Sequence, residues 1–300
     1  MRKRIKPIVV YVVLALLGLA LVIANIHNTS KQQAHLQNVK SALPYATTPK
    51  TTTSSTSSSS DEELILNPII DLSGWQLPQD IDYDVLSNHI SGAIIRVFGG
   101  SQISKDSNAA SSNGVDKSFK THIKELKKRD VPVAVYSYAQ GTSVKEMKEE
   151  ARIFYKNASP YKPTYYWIDV EEETMSNMEE GVQAFLAELK RLGAEKVGLY
   201  IGAYFMLEQE VSTKNFDAVW IPAYGTDSGY YEALPNTEID YDLHQYTSQG
   251  NLPGFNNILD LNQINPEKNK RKTFEKLFGK IKQKPTKNKK TTSTSSSSSQ

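Results

Sequence analysis

The chain predicts an α/β barrel built from five strand–helix units followed by three further strands, a (β/α)5(β)3 arrangement. Three observations predict it. From about residue 64 to 210, short β-branched and aromatic runs alternate with helix-period segments, the signature of a parallel sheet with crossover helices. After residue 210 strand-like runs continue, but loops rather than helices join them. Acidic and aromatic residues recur at strand ends, where barrels of this TIM-like kind carry their chemistry.

The elements follow in order. The sequence predicts a first strand over 66–71, a short helix over 81–89 and a second strand over 92–98, followed by a polar loop over 99–113. Residues 116–129 read as a helix, because Phe119, Ile123 and Leu126 share a face. A third strand runs over 131–138, and its early Pro132 suits a strand's first residues. Ser143 caps a helix reaching Asn157, with Glu146 at capping-box spacing. The fourth strand, over 164–171, ends in Asp169 and Glu171. A helix over 176–192 puts Val182, Phe185, Leu186 and Leu189 on one face, and Gly193 stops it. Then come a fifth strand over 196–201 and a short helix over 203–210. The last three strands are read over 217–221, 242–246 and 257–260.

Both ends differ from this middle. Residues 1–27 join a basic head to an uncharged apolar run, Ile8 to Ala24. A spanning helix needs ~17–25 residues and a signal core only ~7–15, so the run reads as one transmembrane anchor. A cleavage site at Val22-Ile23-Ala24 is the alternative, and would make the protein secreted. Arg2, Lys3, Arg4 and Lys6 then face the cytoplasm, with the rest outside the cell. Residues 28–64 are a linker; Thr47 to Ser60 is nearly all Ser and Thr and is expected to be disordered. The folded barrel is read over 65–266. Beyond it, 267–300 is a basic segment with a Ser/Thr-rich end. There Phe274, Leu277, Phe278 and Ile281 fall on one helical face. Three readings stay open for 268–290: binding to anionic lipids, binding to wall polymers, or a last helix packed on the barrel.

Net charge is only +2, and the folded part shows no basic patch, which argues against nucleic acid. There is no cysteine, which excludes disulfides and thiolate metal sites. The five histidines lack metal-ligand spacing, so no metal or organic cofactor is expected. Asp169 and Glu171 are two apart on a strand, so their side chains leave on one side. Paired carboxylates facing one cleft are what glycosidic cleavage requires. The competing reading is a strand running into the first turn of an acidic helix. Asp71 and Asp260 also fall at predicted strand ends, and like charges gathered on one rim cost energy unless function retains them.

From about Asn67 to Pro266 the chain resembles glycoside hydrolase family 25, the Chalaropsis-type lysozymes. The matches run in family order: Asp71-Leu-Ser73-Gly-Trp-Gln76, Ile81-Asp82-Tyr83, Arg96, Val135-Tyr-Ser-Tyr138, Asp169-Val-Glu171, Trp220-Ile-Pro-Ala-Tyr224, Gln245-Tyr-Thr-Ser248, Pro253-Gly254 and Asp260-Leu-Asn262. Departures are Asn67-Pro68 where a Gly is usual, Pro222 for Ala, Tyr138 where many members carry His, and a long Ser/Asn-rich loop after the second strand. None removes a carboxylate.

The resemblance implies a muramidase that cleaves the β-1,4 bond from N-acetylmuramic acid to N-acetylglucosamine in peptidoglycan, with net retention. It implies catalytic roles for Glu171, Asp169, Asp71 and Asp260, with Glu171 as the general acid. Two accounts exist of the second group: a carboxylate nucleophile, or the sugar's own acetamido group held by Asp169. Tyr138, Tyr224, Arg96, Trp75, Gln245 and Tyr246 are the candidate substrate-binding residues, while Trp220 suits the barrel core. His244 should point opposite to Gln245 on its strand. Expected partners are glycan strands, and the cell membrane through residues 8–24. The alternative from another class is a non-catalytic glycan-binding barrel or scaffold at the wall.

Overall fold

The computed structural model describes residues 64–281 apart from 104 and 233. The predicted anchor, the linker up to residue 63 and the tail beyond 281 lie outside the described residues. Among the described residues, no helix is long and apolar enough to cross a membrane.

Eight strands close a barrel in sequence order. They are β1 (Ile69–Leu72), β2 (Gly92–Phe98), β3 (Val133–Tyr138), β4 (Tyr166–Val170), β5 (Val197–Ile201), β6 (Ala218–Pro222), β7 (Leu243–Gly250) and β8 (Leu259–Ile264). Neighbours from β1 to β7 pair in parallel, whereas β8 runs antiparallel to both β7 and β1. A parallel return needs a crossover of a dozen or more residues, and only 251–258 separate β7 from β8. The last strand therefore comes back as a hairpin partner, with its first residues at the barrel's mouth. The expected strand over 257–260 is thus displaced to Leu259–Ile264.

The helices are α1 (Tyr83–Leu86), α2 (Phe119–Lys128), α3 (Val144–Ala158), α4 (Met178–Leu192), α5 (Ala203–Glu208) and α6 (Lys270–Phe278). Strand alternation sorts the apolar residues into two cores. Ile69, Ile94, Trp167, Trp220, Leu243 and Ile264 fill the barrel. Ile70, Ile95, Val135, Ile168 and Leu199 face out toward helix residues such as Phe119, Phe154 and Phe185. Trp167 and Trp220 meet edge to face at 5.6 Å, and Tyr200 lies 4.5 Å from Trp220.

Caps set the helix ends. Ser143 accepts from the Glu146 amide at 3.2 Å. The Glu146 carboxylate reaches one residue further back than a simple capping box, taking the Thr142 amide at 2.8 Å and its hydroxyl at 2.7 Å. Asn177 caps α4. Gly193 ends α4 at φ 106, a left-handed position that a side chain would strain.

The basic tail begins as part of the fold. Phe274, Leu277 and Phe278 of α6 are buried among the barrel's interior residues at its floor. The approach is close enough that a Cβ on Gly92 would lie 3.0 Å from the Phe278 ring. Lys276 donates to Asp242 at 2.9 Å, and Lys196 donates to the Lys276 carbonyl at 3.0 Å. Of the three readings left open for 268–290, a last helix packed on the barrel is the one found over Lys270–Phe278: its apolar face is covered by the barrel, and packed residues extend past 266.

Candidate active site

The mouth is assembled by strand register. Asp71 pairs across β1 and β8 with Asp260. Tyr138 pairs with Asp169, and Asp169 with Tyr200. Gln245 pairs with Asn262. All of these positions share the inward parity of Ile69, Trp167, Leu243 and Ile264, so their side chains converge inside the rim. Asp260 was expected at a strand's end; it reaches the rim because antiparallel β8 begins there.

Asp71 is buried, and its Oδ2 accepts from Gln245 Nε2 at 2.9 Å and Asn262 Nδ2 at 2.8 Å. Gln245 Oε1 accepts in turn from the Tyr200 hydroxyl at 2.8 Å and the Tyr224 hydroxyl at 2.6 Å. Asn262 Oδ1 accepts from Trp220 Nε1 at 2.8 Å. The amide orientations are thereby fixed by phenol and indole donors. Trp220, a barrel core residue, also holds part of the site.

The four carboxyls form two hydrogen-bonded pairs, Asp71 with Asp260 and Asp169 with Glu171. Burial raises Asp71 to about 6, against the hydrogen bonds from Asn262 and Gln245. Burial and the Asp71 charge push Asp260 up to about 9. Asp169 is only 5% exposed, and burial with the Glu171 and Asp71 charges drives it well above the carboxylate range. Glu171 stands solvent-exposed at the rim yet surrounded by protein mass. Burial raises it, Asp71 and Glu172 add to the rise, and the hydrogen bond with Asp169 opposes it. In each pair burial and the neighbouring charge favour keeping a proton, because two adjacent buried carboxylates cannot both ionise cheaply. Asp169 Oδ1 is buried with no hydrogen-bond partner among the described residues.

Arg96 does not bond a rim carboxylate. Its Nε pairs at 3.0 Å with Asp116, whose side chain is fully buried. Asp116 also accepts from the amides of Gly74 at 2.6 Å, Ser118 at 2.8 Å and Phe119 at 3.1 Å. That carboxylate ties the loops after β1 and β2 to the start of α2. So fixed, the guanidinium lowers the proton affinity of Asp169 and Tyr136 through space. Trp75 is 64% exposed on the loop after β1, which Gln76 rounds off by accepting from the Ser73 amide at 2.9 Å. Tyr138 is half-buried and hydrogen-bonded to Glu172. Burial and the Glu171 charge raise its phenol; the same causes raise Tyr224, with Asp260 and Asp71 ahead of Glu171.

Of the ten residues singled out from sequence, the structure gathers Asp71, Asp169, Glu171, Asp260, Tyr138, Tyr224, Arg96 and Gln245 at the mouth, with Trp75 on its rim. Tyr246 stands apart. It follows inward-facing Gln245, so it points out, and it packs on Tyr231 at 5.8 Å and His244 at 6.3 Å. His244 points out as expected and bonds the Ala223 carbonyl at 2.8 Å. Tyr136, Tyr200, Asn262 and Asp116 were not chosen. Strand parity could have found two of them, since Tyr136 and Asn262 lie two positions from Tyr138 and Asp260 on the same face.

A barrel that gathers four carboxyls at one mouth has what glycosidic cleavage uses. The chain belongs to the glycosyl hydrolases family 25, whose model matches residues 70–255. It is similar to the structure of GHIP, a glycosyl hydrolase 25 of Streptococcus pneumoniae described as a virulence factor participating in host cell invasion. The two are 56% identical, with a TM-score of 0.70, over 72% of this chain and 94% of that one. The catalytic domain of endolysin ply40, from bacteriophage P40 of Listeria monocytogenes, is 26% identical over 73% of this chain and 100% of its own, with a TM-score of 0.61. The bacterial lysozyme from Streptomyces coelicolor shares the fold at 16% identity, with a TM-score of 0.53 over 72% of this chain and 98% of that one. No curated protein matches this chain.

Proposed function

We propose that this protein is a peptidoglycan hydrolase that cleaves the β-1,4 bond between N-acetylmuramic acid and N-acetylglucosamine during wall turnover or remodelling. We place it at the cell membrane through residues 8–24, with the barrel outside the cell. Family membership and the resemblance to a phage endolysin domain support the substrate class. The observation that carries the reading is the Asp169/Glu171 pair. One carboxyl is exposed and the other is buried, they are hydrogen-bonded to each other, and both are raised above the usual carboxylate range.

Substrate assistance fits that pair. In the free enzyme the hydrogen bond holds a proton mainly on Asp169, the more strongly raised group. A sugar acetamido N–H arriving at Asp169 favours its charged form, because a donor stabilises a carboxylate. The proton then passes to Glu171. Glu171 gives it to the glycosidic oxygen as the C1–O bond breaks. The acetamido carbonyl oxygen bonds C1 from the opposite face, and Asp169 stabilises the positive charge on nitrogen. A water then attacks C1 as the bond from C1 to the acetamido oxygen breaks, loses its proton to Glu171 and releases the sugar with its configuration retained.

The test uses the full-length protein beside Glu171→Gln on purified peptidoglycan, with released fragments reduced and read by mass spectrometry. Fragments with N-acetylmuramic acid at the reducing end, absent with the variant, are expected. Retained binding without release by the unaltered protein would instead favour a glycan-binding scaffold.

A further inference from the structure

The floor of the barrel carries a feature that the chemistry does not use. The residues that open and close the described chain, Leu64 to Asn67 and Ile281, line an open groove of about 810 Å3 there. Its apolar lining includes Leu66, Ile90, Val131 and Phe278, and Lys127, Arg129, Lys280 and one acid, Asp130, stand around it. Ile65, in the same groove, is 87% exposed.

Charge separates the two ends of the barrel. The mouth gathers Asp71, Asp169, Glu171 and Asp260, with Glu172 and Glu173 just beyond β4. At the floor, Asp84, Asp217 and Asp242 are held by Arg129, Lys190 and the Lys268/Lys276 pair, and Asp130, Glu195 and Glu267 are exposed there too, fewer than the cations that follow. Lys128, Lys162, Lys270, Arg271, Lys272 and Lys280 are exposed and enter no salt bridge among the described residues. Three of these cations, Lys270, Arg271 and Lys272, occupy the first turn of α6, which has no acidic residue there. Cations at a helix N-terminus oppose the macrodipole, so helix formation does not explain them.

We infer that this floor docks on an anionic lipid surface, with the apolar groove and Ile65 against the bilayer interface and the acidic mouth facing away. Leu64, the first described residue, lies at this face. The 39 residues between the apolar run and Leu64 reach at most ~140 Å when extended, so a tether of that length leaves the barrel's orientation undetermined. Attraction between a cationic face and an anionic leaflet acts within a Debye length of ~8 Å and selects the floor. This mode differs from an amphipathic helix lying in the bilayer, because the apolar side of α6 is already covered. It does not depend on the hydrolytic reading.

The chain has no cysteine, so single introduced cysteines report position cleanly. His89→Cys marks the floor, on the exposed turn before β2, and Asn108→Cys marks the mouth, on the loop after β2. The full-length protein would be placed with phosphatidylglycerol/phosphatidylcholine vesicles carrying a headgroup energy acceptor. Transfer at least twofold stronger from His89→Cys than from Asn108→Cys is expected. The difference should vanish in pure phosphatidylcholine and in 1 M salt. It should also vanish on combining Lys270→Glu, Arg271→Glu, Lys272→Glu and Lys280→Glu, three of which suit the α6 dipole. Equal transfer from both positions in anionic vesicles would overturn the proposal. So would a difference that survives salt, or floor binding to a soluble polyanion with no preference for vesicles.

Discussion

The two ends of this barrel solve opposite problems with the same strands. At the floor, Phe274, Leu277 and Phe278 close the interior with apolar contacts. At the mouth, the same inward parity delivers four carboxyls, three of them in buried or strongly crowded positions. The floor therefore holds the fold together, and the mouth stores groups whose ionisation the fold resists. Stability and chemistry are separated along one axis, and substitutions at the two ends should have separable effects.

The largest expected effect is at the mouth. Glu171→Gln should lower kcat by about 10^2–10^4-fold, the range for losing a positioned acid, with no loss of melting temperature. Steady-state kinetics beside thermal unfolding checks both parts, and a loss of fold would blur the separation. Asp169→Asn should cost about 10^2–10^3-fold in kcat, comparable to removing one group that stabilises transition-state charge. KM should stay near its original value; a near-normal rate would end the role given to Asp169.

The floor should show the converse. Phe274→Ala removes a buried ring, which costs about 3–5 kcal/mol of stability. Turnover per folded molecule should not change, as read by activity at low temperature against the folded fraction. The smallest effect is expected at the rim. Trp75→Ala removes an exposed aromatic face that suits a sugar, and should raise KM a few-fold with kcat and melting temperature unaltered.

Much of this was legible because strand period 2 is strict. The second strand and the face of α4 read directly from the residues, and Asp169 with Glu171 announced their shared side. What stayed hidden depended on partners distant in sequence. The direction of β8 is set by a short connection, and polar Asn262 and Gln263 interrupt the apolar signal that would have extended it. Asn262 is tolerated inside because Trp220 and Asp71 satisfy its amide. The stripe on α6 was visible, but a stripe does not say what covers it. Arg96 could be seen as inward-facing, while its partner Asp116 comes from a loop twenty residues on. Tyr246 was chosen together with Gln245, although adjacent strand residues cannot share a face.

The claim that the mouth trades stability for chemistry is tested most directly at Asp260. Burial and the Asp71 charge push its carboxyl up to about 9, against 3.8 for a free one. A raised value means that the folded state binds the proton more tightly. The stabilisation is complete below the free carboxyl's value and is lost as the pH climbs toward 9. Asparagine carries no titrating proton. Thermal unfolding of both proteins at pH 5 and pH 9 is the decisive measurement. The account predicts that the unaltered protein loses more stability than Asp260→Asn over that range. At pH 9 the variant should melt about 2–4 °C higher, the shift that ~1 kcal/mol gives a domain of this size, while its turnover falls. A variant that is less stable at pH 9, or one that loses as much as the parent between the two pH values, would contradict it.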